Sequence, residues 1–386
     1  MRPRTAAALA LVALLTAGAA PAEEGSRNDD VASAVAQTVR PIMKQYHIAG
    51  MAVGITVEGR HYVLDYGVAS RATGKHVDAS TLFEIGSITK TFTASLASYA
   101  QLTGKLSLSD AVGADLPALQ GTSLGRVRLV NLGTHTAGGL PLQFPDDVKS
   151  DDDAMRYYRA WKPVHAAGTY RLYSNPSIML LGLIVAKRME ANFAGLMQRK
   201  LLAPLGLRDT FLAVAEARMS DYAQGYTDAG KPRRMSPGPL AAEAYGIRTT
   251  ASDMLRFIDA NMNLVPVDDT LRRAIIGTHT GYYQIGGMTQ DLVWEQYRYP
   301  IPLPGLLQGN SEHVIFEENQ AVRIVPPLPP QSDVVIDKTG STNGFGAYVA
   351  FIPRRKMGIV LLANTSFPIA VRVTAAYRIL TRLRAL

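Results

Sequence analysis

The two ends of the chain are strand-rich and its middle is helical, and this arrangement restricts the possible folds of the 386 residues more than any other feature. Residues 50–58 and 61–69 are β-rich runs meeting at Glu58, Gly59 and Arg60, which is a hairpin signal. Near the other end, residues 334–337, 346–352 and 357–363 are strand-like, with turns expected at 340–344 and 353–356. Val31, Ala34, Val35, Val39 and Ile42 recur at helical spacing over 30–46, with Asp29 and Asp30 at the start, and residues 371–386 return to that spacing. Each terminus thus supplies strands and one helix, which predicts a single α/β layer built jointly from both. Between them, residues 91–99, 152–159, 178–202 and 251–262 read as helices joined by long loops rich in Gly and Pro. The Pro-rich stretches 231–240, 299–306 and 326–330 are expected to run over the surface.

The first residues carry their own instruction. Arg2 and Arg4 precede an apolar run from Ala6 to Ala17, and Ala20, Pro21 and Ala22 follow before Glu23 and Glu24. At roughly twelve residues the run is too short to cross about 30 Å of hydrocarbon, so residues 1–22 read as a secretory signal cut after Ala22. The expectation is a soluble exported protein of the periplasm, without a membrane anchor, and a monomer. Removing Arg2 and Arg4 lowers the formal charge from +8 to +6. The basic clusters Arg233-Arg234 and Arg354 to Lys356 are short and fall in turns, so no nucleic-acid partner is expected. With no cysteine, disulfides, thiolate zinc sites and a cysteine nucleophile are excluded. The seven histidines show no metal-ligand spacing, and neither metal nor cofactor is expected.

Three short motifs follow in order: Ser87-Ile88-Thr89-Lys90, Tyr173-Ser174-Asn175 and Lys338-Thr339-Gly340. By composition the ordered trio is roughly a one-per-cent accident. Ser87 immediately precedes a helix expected to begin near Thr89, and Lys90, one turn on, lies over the same face. A lysine beside a serine hydroxyl favours the alkoxide or, when neutral, takes its proton, and the helix N-terminus directs free N–H groups at developing negative charge. Tyr173 and Asn175 project to one side of an extended segment, where a phenol near two lysines can serve as general base. Lys338 to Gly340 ends a strand leading into a glycine-rich hairpin and can line the edge of a cleft, with Gly340 admitting a close ligand.

These elements, in this order and spacing, resemble the serine penicillin-recognising enzymes, and the Tyr-x-Asn form is similar to class C β-lactamases. Longer strings carry the likeness over nearly the whole exported chain: Leu82 to Ser87, Gly138 to Pro145, Tyr173 to Ser177, Ala242 to Gly246 and Lys338 to Gly346. The resemblance implies an α+β fold, an antiparallel sheet flanked by N- and C-terminal helices plus a mostly helical inserted domain. It divides the chain into a sheet domain of residues 23–82 and 265–386 and a helical domain of 83–264, with the active site between them. It further implies that Ser87 attacks a lactam carbonyl to form an acyl-enzyme while Lys90 and Tyr173 manage protons. The backbone N–H groups of Ser87 and Ser341 would form the oxyanion hole. Gln143 and Asn175 would bind the amide side chain of the substrate, Lys338, Thr339 and Asn343 would face its carboxylate, and Tyr245 would wall the cleft. Arg372 matches a residue on the carboxylate side. Departures are Asp291 and Val293 in place of glycines, His135 in place of a tyrosine, Ile369 in place of an asparagine, and no proline in Ile48-Ala49-Gly50. The alternative reading is a D-Ala-D-Ala carboxypeptidase or a class C-like esterase, which share the acyl-serine step.

Overall fold

The strand-forming runs from the two ends of the chain meet in one sheet. The computed structural model describes residues 20–383, with side chains described from residue 28 onward, so the secretory signal expected over 1–22 falls outside them except for its last three residues. Nine strands form the sheet: β1 (Gly50–Val57), β2 (Arg60–Gly67), β3 (Gly281–Ile285), β4 (Met288–Gln290), β5 (Glu295–Arg298), β6 (Val322–Leu328), β7 (Val334–Thr342), β8 (Phe345–Ile352) and β9 (Met357–Ala363). Their spatial order is β6-β3-β4-β5-β7-β8-β9-β1-β2, with every neighbour antiparallel. The pairing of β1 with β9, Met51 opposite Ala363, joins the N-terminal hairpin to the C-terminal strands.

Central strands are buried on both faces, and their side chains alternate between two cores as the period of two requires. Along β8, Phe345, Ala347, Val349 and Phe351 enter one core, and Tyr348, Ala350 and Ile352 enter the other. The second core is closed by α1 (Ala20–Gln45) and by α6 (Ile369–Leu383), which pack on each other. The first core is closed by helices from the middle of the chain: α2 (Thr89–Leu102), α3 (Asp151–Ala160), α4 (Asn175–Arg188) and α5 (Ala251–Asn261). Phe92 of α2 stacks on Phe257 of α5 at 3.9 Å between ring centroids. By contrast β2 alternates between exposed and half-buried residues, as an edge strand with one wet face does.

Several expectations need correction. The helix expected over 178–202 is broken: α4 stops at Arg188, Glu190 takes φ +53, and Asn192 restarts the chain by accepting the Gly195 N–H at 2.7 Å. The turn expected at 340–344 is shorter, because β7 continues to Thr342 and carries Lys338-Thr339-Gly340 inside the sheet. The proline stretch 326–330 is partly β6, an edge strand paired only with β3. Its ladder slips between Arg323 and Leu328, so Pro326 and Pro327 lie where no ladder N–H is required. Strands β3 to β5 have no counterpart in the sequence reading, being three to five residues long and rich in polar side chains.

Asp291 lies in the segment between β4 and β5. It is fully buried with both carboxylate oxygens unpartnered among the described residues, and burial raises its pKa well above 3.8. The folded chain therefore holds a proton there that the unfolded chain releases. The resulting stability is complete below the unfolded pKa and is lost as pH rises through the folded one. Asp291→Asn is expected to raise Tm by several degrees at pH 8, at about 2 °C per kcal/mol in a chain of this size, and by less at pH 5. Calorimetry showing equal gains at both pH values would contradict this assignment.

Candidate active site

Ser87 sits in a tight turn, Gly86–Ile88, that runs directly into α2. One helical turn on, Lys90 is fully buried, and its Nζ donates to Ser87 Oγ at 2.9 Å and to the Ala244 carbonyl at 3.0 Å. Burial, with the nearby Lys338 adding to it, brings the Lys90 pKa down to about 8, against the opposing pull of Tyr173. At that value a substantial fraction of the amine is neutral near pH 7 to 8 and can accept a proton. The Ala244 contact also fixes the segment that follows: the Ile247 N–H donates to Thr89 Oγ1, Thr93 Oγ1 donates to the Glu243 carbonyl, and Tyr245 is left at the cleft wall.

Tyr173 lies just before α4. Ser174, not Asn175, caps that helix by accepting the Ser177 N–H at 3.0 Å. The Asn175 N–H donates to the Leu142 carbonyl at 3.0 Å, which brings Gln143 beside Asn175. The Tyr173 ring stands between two ammonium groups, with its centroid 5.2 Å from Lys90 Nζ and 4.9 Å from Lys338 Nζ. Burial alone would raise the phenol, but Lys338 and Lys90 outweigh it and hold its pKa below 10.0. Its hydroxyl lies beside Ser87 and Lys90: hydrogen bonding with Ser87 adds to the lowering of the phenol, and hydrogen bonding with the phenol in turn raises Lys90. His135, at φ +58, packs against this ring at 4.3 Å. The Ser174 N–H donates to His135 Nδ1, and burial followed by the Arg171 charge pushes the imidazole well below 6.5, so it is neutral.

Lys338 points from β7 towards the same place. Its Nζ donates to Glu295 Oε1 at 3.2 Å, and Arg171 Nη2 donates to that same oxygen at 2.9 Å. Burial would lower the Lys338 pKa, but Glu295 outweighs it and the pKa stands above 10.5, so this lysine stays charged. Burial, and then Glu295, pushes the neighbouring Asp337 up to about 7, against hydrogen bonds from Tyr348 and Asn310. Lys338 and Arg171 share the one Glu295 oxygen, and with Lys90 close by the basic groups outnumber the acids around Tyr173, which favours a phenolate or an oxyanion. Arg171, Glu295 and Gln290, which accepts from Arg171 Nε at 2.6 Å, were not singled out as site residues from sequence. The signal for Arg171 was a charged residue two positions before Tyr173, on the same side of an extended segment. Glu295→Gln leaves two buried cations without their counter-charge and is expected to cost on the order of 3 kcal/mol by chemical denaturation. A loss below about 1 kcal/mol would show that Glu295 does not balance them.

The turn at Ser87 and strand β7 touch backbone to backbone, which only glycine permits. Gly86 takes φ +51, and a Cβ there would lie 2.6 Å from the Ser341 nitrogen. A Cβ on Gly340 would lie 1.9 Å from the Ile85 carbonyl oxygen. The result is a cleft of about 550 Å³ lined by Ser87, Tyr173 and Lys338, with Gln143 and Asn175 on one side and Thr339, Ser341 and Asn343 on the other. Tyr245 lines its extension next to Arg233 and Arg234. Arg372 is the exception among the expected residues. It is 2% exposed, its guanidinium donates to the carbonyls of Gly340 and Phe367 and to Ser341 Oγ, and burial brings its pKa down to about 9. It braces β7 from behind and does not line the cleft. Ile369 does line it. Among the described residues no group of three or more His, Asp or Glu side chains could hold a metal ion, and no helix is long and apolar enough to cross a membrane.

The sheet with its helical layers, and a buried lysine–tyrosine–lysine group around a cleft serine, define the class of β-lactamase/transpeptidase-like hydrolases. The β-lactamase family pattern matches residues 35–384. A β-lactamase of Lysobacter lactamgenus is 52% identical over 346 residues, 90% of each chain. A solved structure of the D-alanine carboxypeptidase AmpC of Burkholderia cenocepacia superposes with a TM-score of 0.88 at 52% identity, covering 92% of this chain and 99% of the other. A class C β-lactamase solved with cefoxitin superposes with a TM-score of 0.90 at 46% identity, over 92% and 99% of the two chains. The chain belongs to the β-lactamase family, in its class C branch.

Proposed function

We propose that this class C β-lactamase opens the lactam amide of cephalosporins and penicillins through an acyl-enzyme on Ser87. The observation that carries the reading is the 2.9 Å contact between Ser87 Oγ and a fully buried lysine whose pKa is brought down to about 8. Ser87 Oγ bonds to the lactam carbonyl carbon while its proton passes to Lys90 or Tyr173. The Ser87 and Ser341 N–H groups receive the charge that develops on the carbonyl oxygen. As the C–N bond breaks, the lactam nitrogen takes a proton from the Tyr173 side, leaving an ester. Water gives a proton to Tyr173 and attacks the ester carbonyl; as the C–O bond to Ser87 breaks, that proton passes to Ser87 Oγ, restoring the hydroxyl and releasing the acid product.

Gln143 and Asn175 hold the substrate's amide side chain, Lys338, Thr339 and Asn343 face its carboxylate, and Tyr245 walls the cleft. Arg372 acts indirectly, by fixing the strand that carries Ser341. The site lies where a sheet domain of residues 23–82 and 265–386 meets a helical domain of 83–264. A signal over residues 1–22 sends the enzyme to the periplasm, where it acts as a monomer against antibiotics.

The same acyl-serine step would serve an acyl-D-Ala-D-Ala peptide, a reading favoured by the Burkholderia relative described as a D-alanine carboxypeptidase. Parallel turnover of a chromogenic cephalosporin, a p-nitrophenyl ester and a D-Ala-D-Ala peptide separates the two. The lactam is expected to dominate, and peptide or ester turnover without lactam turnover would overturn the proposal. Exhaustive chelation is expected to leave lactam hydrolysis unchanged, since serine, lysine and tyrosine supply every proton and bond. Loss of rate restored by a divalent cation would contradict that chemistry.

A further inference from the structure

Two adjoining cavities beside β6, the outermost strand of the sheet, are walled by arginine and contain no acid. The first, about 210 Å³, is lined by Arg126, Arg128 and Arg323 together with the buried residues Asn131 and Tyr283. The sequence accounts for the convergence. Val127 is buried and the backbone at Val127 and Arg128 is extended, so the arginines two residues apart flank the same opening. Arg323 arrives from β6, opposite Tyr283 in the ladder to β3.

The guanidinium of neither Arg128 nor Arg323 has a hydrogen-bond or ion-pair partner among the described residues. Arg126 reaches only the Gly121 carbonyl, at 3.5 Å. No Asp or Glu lines either cavity. All three arginines are solvent-exposed; around one concavity without an acid they set up a local positive potential that attracts an anion, and their forked donors match phosphate oxygens. Tyr283 strengthens the case: its hydroxyl accepts from Asn131 Nδ2 at 2.8 Å, which leaves its own proton to donate. The second cavity, about 220 Å³, shares Arg128, Val130, Tyr283 and Arg323 and adds the apolar surfaces of Leu108, Tyr282, Ile324 and Pro327. Neither cavity shares a lining residue with the cleft at Ser87.

We propose that these joined cavities bind a phosphate monoester with an apolar body, the phosphate among Arg126, Arg128, Arg323 and the Tyr283 hydroxyl, the body against Tyr282, Ile324 and Pro327. The site is independent of lactam hydrolysis. The test is titration calorimetry of the whole protein with phenyl phosphate and with inorganic phosphate, beside sedimentation with vesicles containing phosphatidic acid. Arg128→Ala, Arg323→Ala and, as a control on another basic surface, Arg355→Ala are compared, and unchanged cephalosporin turnover confirms that each variant folds. Phenyl phosphate is expected to bind more tightly than inorganic phosphate. Each cavity variant should weaken it about ten-fold or more, while Arg355→Ala leaves it unchanged. Binding to the vesicles alone, with the same arginine dependence, would support the site and identify the phosphate as a lipid headgroup. No binding of any probe, or binding that both cavity variants leave unaltered, would overturn the proposal.

Discussion

Ser87→Ala is expected to lower kcat for a cephalosporin by about 10⁴- to 10⁶-fold and to abolish covalent labelling by a β-lactam. The magnitude follows from the removal of the group that forms the bond. The other hydroxyls of the cleft are badly placed to replace it, since Ser341 Oγ accepts from Arg372 at 2.8 Å and Thr339 is nearly buried on β7. What remains is binding and the polarisation of the carbonyl by backbone N–H groups. The fold should tolerate the change, because Lys90, which donates to Ser87 Oγ, keeps its bond to the Ala244 carbonyl. Stopped-flow turnover and gel labelling read both effects. An adduct persisting on the variant would remove Ser87 from its role.

Tyr173→Phe is expected to lower kcat by about 10²- to 10⁴-fold, slowing both formation and hydrolysis of the acyl-enzyme. The substitution keeps the ring between Lys90 and Lys338 and its contact with His135, and deletes only the hydroxyl beside Ser87 and Lys90. Tm should therefore change little, since the ring packing is kept and a single hydrogen bond contributes only about 1 kcal/mol. Lost activity at undiminished stability separates a proton-handling role from a packing role. Unchanged single-turnover constants would leave Lys90 alone as the proton acceptor.

The parts of the site legible in the sequence are those written in short local strings. Ser87 and Lys90 lie one helical turn apart, so their spacing already places the ammonium over the hydroxyl. Tyr173 and Asn175 alternate along an extended segment, and Lys338-Thr339-Gly340 sits on a strand. The contacts that tune them join distant parts of the chain. Arg171 meets Glu295 across 124 positions and Glu295 meets Lys338 across 43, and no local period reports such pairs. Arg372 shows the limit of matching by position, since the residue type fits the carboxylate side while its guanidinium is enclosed behind Ser341. The fold was legible in the same uneven way. The apolar runs that became β1, β8 and β9 are buried on both faces and read clearly. Strands β3 to β5 are only three to five residues long, too short for a period of two to stand out, and draw their stability from neighbours in the sheet.

The central claim is an ester on Ser87 that forms and then hydrolyses. Intact-protein mass spectrometry of rapidly quenched samples during exposure to a cephalosporin, with peptide mapping of any adduct, tests it most directly. The expected result is a transient increase in mass by the acylating part of the cephalosporin, confined to the peptide carrying Ser87 and decaying as product accumulates. An adduct on another peptide, or sustained turnover with no adduct at any quench time, would contradict it.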